Sequence, residues 1–163
     1  MRVYTGVGSR STPIEILEFM YKIAVKFARL GYVLRSGGAK GADSAFERGC
    51  DSVNGEKRIF LARDSNSAAM KIAESVHPAW GMCSEYAREL HARNAFQVLG
   101  YDLHSKSNIV ICWTPDGCLS HETRSIRTGG TGTAISIASI NNIRICNLAD
   151  KSEYNKAVTW LNS

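Results

Sequence analysis

No apolar run in this 163-residue sequence approaches the roughly 20 residues needed to cross a bilayer. The N-terminus also lacks a basic region, an apolar stretch and a cleavage site in succession, and runs almost at once into a strand. Both absences lead us to expect a cytoplasmic protein with no membrane partner. The five cysteines (Cys50, Cys83, Cys112, Cys118 and Cys146) are odd in number and irregularly spaced, so a disulfide framework is excluded as the organising principle. Cys112 and Cys146 fall in strand-like segments and read as small buried hydrophobes. Cys118-Leu119-Ser120-His121 carries half of a zinc-ligand pattern, but no second pair stands at ligand spacing, so neither a metal nor another cofactor is expected. Internal repeats, low-complexity tracts and a second composition regime are missing too. Residues 1–163 therefore read as one domain, long enough to bury a continuous core.

What is present is an ordinary globular composition, 44% hydrophobic and 21% charged, with a net charge of +5. That balance suits an anionic partner such as a nucleotide or nucleic acid.

Along the chain, strands and helices alternate. Arg2 to Gly8 reads as a first strand entering a turn. Thr12-Pro13-Ile14-Glu15 has a capping-box pattern with proline at the first helical position. The helix that follows presents Ile14, Leu17, Tyr21, Ala24, Val25 and Ala28 as its apolar face and ends at Gly31. Tyr32 to Leu34 forms a second strand, and a short helix through Ser44 to Arg48 closes near Gly49. A loop from Val53 leads to a third strand at Arg58 to Ala62. Helical patterns follow at Ala68 to Val76 and Ser84 to Leu99, the latter with Tyr86, Leu90 and Phe96 turned to the core and Arg88, Glu89 and Arg93 on a polar side. Asn108 to Trp113 is apolar enough for a central parallel strand. A long loop, Thr114 to Thr128, precedes a helix at Thr131 to Ser139, a strand at Ile143 to Cys146 and a helix at Ser152 to Leu161. The order predicts a three-layer α/β, Rossmann-like domain with a mostly parallel sheet, whose ligands bind at the strand C-terminal edge.

Three glycine-rich turns fall at such edges: Thr5-Gly6-Val7-Gly8-Ser9-Arg10, Arg35 to Asp43, and Thr128-Gly129-Gly130-Thr131-Gly132-Thr133. Glycine lets backbone N–H groups close on an anion, and a helix start is electropositive. These turns, with Arg93-Asn94 and the strand Ile109 to Trp113, resemble in the same order the Rossmann-like core of the DprA/Smf DNA-processing family. That family belongs to the SLOG superfamily, together with the LOG nucleotide hydrolases and nucleotide-sensing modules. Small stand-alone versions of the core occur in phages. The resemblance implies nucleotide binding, a homo-oligomer and, for the DprA branch, single-stranded DNA binding in recombination or DNA uptake. Ala95 stands where the DprA pattern has a second arginine, and Ala134-Ile135-Ser136-Ile137 lacks the glutamate that LOG hydrolases carry after the late glycine turn.

The candidate ligand residues are Gly6, Gly8, Ser9 and Arg10; Ser36, Gly37, Gly38, Lys40, Gly41 and Asp43; Arg93 and Asn94; and Gly129, Gly130, Thr131, Gly132 and Thr133. Glycines and hydroxyls would hold phosphate, and Arg10, Lys40 and Arg93 would balance its charge. Asp43 either caps its helix or accepts a hydrogen bond from a ribose hydroxyl. Trp80 and Trp113 are candidates for base stacking, or for core packing. The reading is a binding, sensing or sequestering module for a nucleotide or nucleotide-derived ligand. One alternative is a DprA-type mediator on single-stranded DNA. The other is a nucleotide N-glycoside hydrolase, with Asp43 or Glu122 as its catalytic carboxylate and Asp116 a lesser candidate.

Overall fold

The computed structural model describes residues 1–163. Five strands form one all-parallel sheet: β1 (Val3–Gly6), β2 (Val33–Ser36), β3 (Lys57–Ile59), β4 (Ile109–Cys112) and β5 (Arg144–Asn147), in the order β3-β2-β1-β4-β5. The helices are α1 (Ile14–Arg29), α2 (Ala42–Asp51), α3 (Ser67–Val76), α4 (Glu85–Leu99), α5 (Thr131–Ile140) and α6 (Lys151–Leu161). This is the expected Rossmann-like α/β arrangement. The chain winds outward from β1 through β2 to β3, then returns to β4 on the other side of β1. The strand order therefore reverses between β1 and β4, where Thr5 pairs with both Arg35 and Val110.

Alternation along the strands splits the core in two. Tyr4, Leu34, Ile111 and Cys146 pack against α1, α2 and α6, on a face rich in aromatic rings: Tyr4 stacks on Phe27 at 4.2 Å and Phe27 tilts against Trp160 at 4.6 Å. Val110, Cys112 and Ile145 face the other way, onto α3, α4 and α5.

Several local expectations are corrected. The buried face of α1 is Phe19, Met20, Ile23, Ala24 and Phe27, whereas Ile14 is 71% exposed. Apolar residues occupy more than one face of this helix, and the aromatic and thioether side chains bury the most area, so they set its rotation. No capping box forms at Thr12. Its hydroxyl turns back to Ser9 O at 2.6 Å and tightens the β1–α1 turn, with Pro13 at the cap position itself. Gly49 lies inside α2 rather than ending it; a Cβ there would strike the backbone carbonyl of Tyr21, so the glycine permits α1 and α2 to cross closely. Strand β3 is shorter than expected, and Ala62–Asp64 forms a 3₁₀ turn instead. Tyr86, expected in the core, is 63% exposed.

Candidate functional site

The C-terminal carbonyls of α4, which no helical N–H can reach, are closed off by the chain that follows and by β1. Ser105 N donates to Leu99 O at 2.8 Å, Ser107 N to Val98 O at 2.9 Å, and the Thr5 hydroxyl to Gln97 O at 2.5 Å. The first two bonds close the helix with the loop after it, and the third fastens α4 to β1 at the point where the strand order reverses. They lay Leu90, His91, Arg93, Asn94 and Gln97 along one side of a cleft.

The cleft has two adjoining lobes, of about 750 and 400 Å³, that share Arg10, Ala39, Leu90 and Arg93. Lining the larger are Gly37, Gly38, Lys40 and Gly41, with Arg63 and Tyr86. The smaller takes Gly8, Ser9, Asp43, Asn94, Gly129, Gly130 and Thr131, with His91, Gln97, Arg127 and Thr128. All three glycine turns thus meet in one place, as expected. A further depression of about 800 Å³ lies along α6, lined by residues such as Lys151, Asn155 and Trp160, away from the strand ends.

Two rows of bare backbone donors open onto this cleft. The N–H groups of Gly38, Lys40 and Gly41 make no intramolecular hydrogen bond, nor do those of Gly129 and Gly130. Just beyond them the donors are used up: Ser44 N and Ala45 N donate to Ala39 O and Gly41 O, and Gly132 N and Thr133 N to Gly129 O and Gly130 O, so the bare rows end where the helices begin. Gly129 adopts φ +69 with open space around it, so its glycine serves conformation. Arg10, Lys40, Arg93 and Arg127 add positive charge. Together these groups can hold an anion with several oxygens.

Beneath the β2–α2 turn the chemistry changes. Arg93 Nη1 donates to Gly37 O at 2.9 Å, and Ala39 N donates to Asp43 Oδ2 at 3.2 Å. Asp43 is 4% exposed, and burial pushes its carboxyl up to about 6. The Ala39 N–H, the Arg93 charge and the Gly37 N–H offset part of that rise. Four buried side-chain polar atoms in the protein have no partner. One is the Tyr4 hydroxyl in the aromatic core; the other three are Arg93 Nε and both amide atoms of Gln97, all lining this cleft. Buried polar groups are almost always paired, so three orphans in one place set this wall apart from the rest of the protein.

Eight of the candidates stand outside the lining. A Cβ at Gly6 would lie 2.6 Å from the Phe46 ring, so that glycine makes room for the core. Ser36 is fully buried and donates to Gly6 O at 2.6 Å. Gly132 accommodates the Arg124 side chain, and Thr133 is buried, with Oγ1 2.8 Å from His91 Nδ1 and accepting from Arg124 at 3.1 Å. These four back the cleft without facing it. Glu122 is exposed on the long loop and does not line the cleft. Asp116 organises that loop: it accepts from Thr114 Oγ1 at 2.9 Å, Ser125 Oγ at 2.9 Å, Thr128 Oγ1 and Cys118 N. Partial burial pushes its carboxyl up, but these bonds outweigh it and hold it below the usual carboxylate range. Neither Trp80 nor Trp113 reaches the cleft, and Trp80 instead takes the Arg88 guanidinium over its ring at 5.3 Å.

Sequence reasoning missed Gln97, which reads as one more polar residue on a helix until its burial is known, and His91, held near pKa 4 by burial and by the neighbouring His77, Arg124 and Arg93. It also missed that His77, Cys83 and His91 converge. No family model, curated protein or solved structure matches the chain.

Proposed function

We propose that the protein is a DprA/SLOG-like module that binds a nucleotide or nucleotide-derived ligand through its phosphate, in the cleft where the strand order reverses. The observation that carries this reading is the pair of bare N–H rows, at the starts of α2 and α5, on one cleft with Arg10, Lys40, Arg93 and Arg127. A phosphate brings the multiple acceptor oxygens and the negative charge that such an arrangement lacks. The orphaned Gln97 amide offers one donor and one acceptor to the remainder of the ligand. Retention in this cleft is sensing, carriage or sequestration.

One observation favours a second reading. Asp43, buried on the wall of the smaller lobe with its carboxyl raised to about 6, is mostly carboxylate at neutral pH and titrates closer to it than an ordinary aspartate, which suits a general base in N-glycoside cleavage. On this reading Asp43 acts without Glu122, which lies outside the lining.

A panel of nucleoside mono- and diphosphates, cyclic nucleotides and ADP-ribose species, incubated with stoichiometric protein and separated by filtration and chromatography, tests both. Retention of one intact species by the wild type and its release from Arg10→Ala/Lys40→Ala is expected for binding. Free base, lost in Asp43→Asn, makes the protein a hydrolase. If neither appears, the small-ligand reading falls, and a salt titration of single-stranded DNA binding tests the DprA-type alternative.

A further inference from the structure

At one side of the cleft, three elements bring a trio of metal-ligating side chains together. His77 follows the last residue of α3, where His77-Pro78 breaks the helix. The 3₁₀ turn Trp80–Met82 then reverses the chain to place Cys83 just ahead of Ser84, whose hydroxyl caps α4 by accepting from Ala87 N at 3.1 Å. His91 lies farther along the same helix. One ligand atom from each of the three lies within 4.8 Å of the others, and all three residues are partly exposed. Cys83 Sγ is 3.7 Å from His77 Nε2, and the His77 and His91 rings meet edge to face with centroids 4.3 Å apart.

These spacings fit a metal. Zinc–nitrogen bonds of about 2.0–2.1 Å and a zinc–sulfur bond of about 2.3 Å at tetrahedral angles put nitrogen and sulfur roughly 3.5 Å apart. His91 is also oriented from behind: its Nδ1 is 2.8 Å from Thr133 Oγ1, which leaves Nε2 as the ligand atom. Arg124, the cation beside the trio, is tied to Val76 O at 3.2 Å, Ser136 Oγ at 3.3 Å and Thr133 Oγ1 at 3.1 Å. Coordination through His77 Nε2 moves that ring's proton to Nδ1 and gives up one hydrogen bond, from Ala79 N at 3.0 Å.

We propose that His77, Cys83 and His91 form a three-ligand site for a zinc-class divalent ion. Two imidazoles and a thiolate select a borderline-soft metal over magnesium or calcium, and three protein ligands leave a fourth position for water or an anion. Binding converts the Cys83 thiol to thiolate and releases its proton to solvent. The argument for the site uses none of the glycine turns and so stands without the nucleotide reading, although His91 also lines the smaller lobe of the cleft.

The test uses the full chain, stripped with a chelator under reducing conditions and titrated first with Co²⁺ and then with Zn²⁺. One equivalent of Co²⁺ is expected to produce a thiolate-to-cobalt charge-transfer band and the intense visible bands of a tetrahedral centre, both erased by Zn²⁺. Cys83→Ser, isosteric and at a partly exposed position, should keep the wild-type circular dichroism while losing the charge-transfer band. It should also lose more than about tenfold in Zn²⁺ affinity, since even an outer partner of a ligand is worth that much. His91→Gln should weaken Zn²⁺ binding as well, and His104→Ala, at an exposed histidine elsewhere, should not. A pale octahedral cobalt spectrum in the wild type, or a charge-transfer band that survives in Cys83→Ser, overturns the site.

Discussion

The two walls of the cleft are made of the same local material, a glycine-rich turn leading into a ten-residue helix, yet they differ in what lies behind them. Behind the β4–α5 wall every polar group is paired: Thr128 with Asp116, Thr133 with His91 and Arg124. Its Gly129 and Gly130 face open space. Behind the β2–α2 wall stand a buried carboxyl, an unpaired guanidinium nitrogen and a wholly unpaired amide, packed against Gly37. The first wall is a rigid anion cradle whose donors cost little because water reaches them. The second carries a standing free-energy cost inside the protein, and such costs persist where a ligand or a reaction needs them.

The largest expected effect separates the two walls by a single methyl group. A Cβ on Gly37 would lie 2.9 Å from both Arg93 Cζ and Asp43 Oδ2 and closer still to the Gln97 amide, so three packed side chains must move at once. Gly37→Ala is expected to cost about 3 kcal/mol, the upper part of the usual overpacking range. Gly130 has φ −62, and its Cβ would meet nothing nearer than His91 Cε1 at 3.9 Å. Gly130→Ala should stay within about 0.5 kcal/mol of the wild type. Urea denaturation of both variants checks the pair, and equal losses would dissolve the distinction between the walls.

Asp43 sharpens the comparison through pH. Its folded-state pKa of about 6 lies above the ordinary 3.8, so between those values the folded protein holds more proton than the unfolded chain. Stability therefore falls as pH rises through that window, and the full cost remains above it. Asp43→Asn removes the titration. The variant should match the wild type below about pH 4 and exceed it by about 2–3 kcal/mol at pH 7 and above. Thermal melts across that range measure the gap. A gap that opens in the opposite sense would mean that Arg93 stabilises the carboxylate more than burial opposes it.

The difference between the walls also explains what was legible in the sequence. Alternating strands and helices gave the parallel sheet, and glycine turns at strand ends, which are local signals, placed the cleft and most of its lining: Gly8, Ser9, Arg10, Gly37 to Gly41, Asp43 and Gly129 to Thr131; Arg93 and Asn94 came from the family resemblance alone. Gly6 and Gly132 carry the same local signal for another reason, to admit Phe46 and Arg124, and composition cannot tell a glycine that admits a neighbour from one that faces a ligand. The face of α1 was misread because apolar residues surround that helix and the choice between faces is made by α2 and the sheet. Gln97 and the His77, Cys83, His91 trio were invisible for a related reason: their meaning lies in neighbours brought together by tertiary packing.

The smallest expected effect bears most directly on whether the cost at the β2–α2 wall is functional. Gln97 is 1% exposed, with neither amide atom paired, while its backbone carbonyl accepts the Thr5 hydroxyl. Gln97→Met keeps the length and flexibility of the side chain, leaves that backbone bond in place and removes the two orphaned polar atoms. Since an unpaired buried polar group costs about 1–3 kcal/mol, the variant should gain about 1 kcal/mol after its imperfect fit is counted. If the amide serves the ligand, whatever species the nucleotide panel identifies should at the same time bind the variant less tightly, because a donor and an acceptor at the cleft wall have gone. Greater stability with unchanged affinity would make the amide a packing defect, and the β2–α2 wall would then differ from its counterpart only in Asp43 and Arg93. Lower stability would mean that the amide finds partners inside the protein, and the contrast between the walls would rest on charge alone.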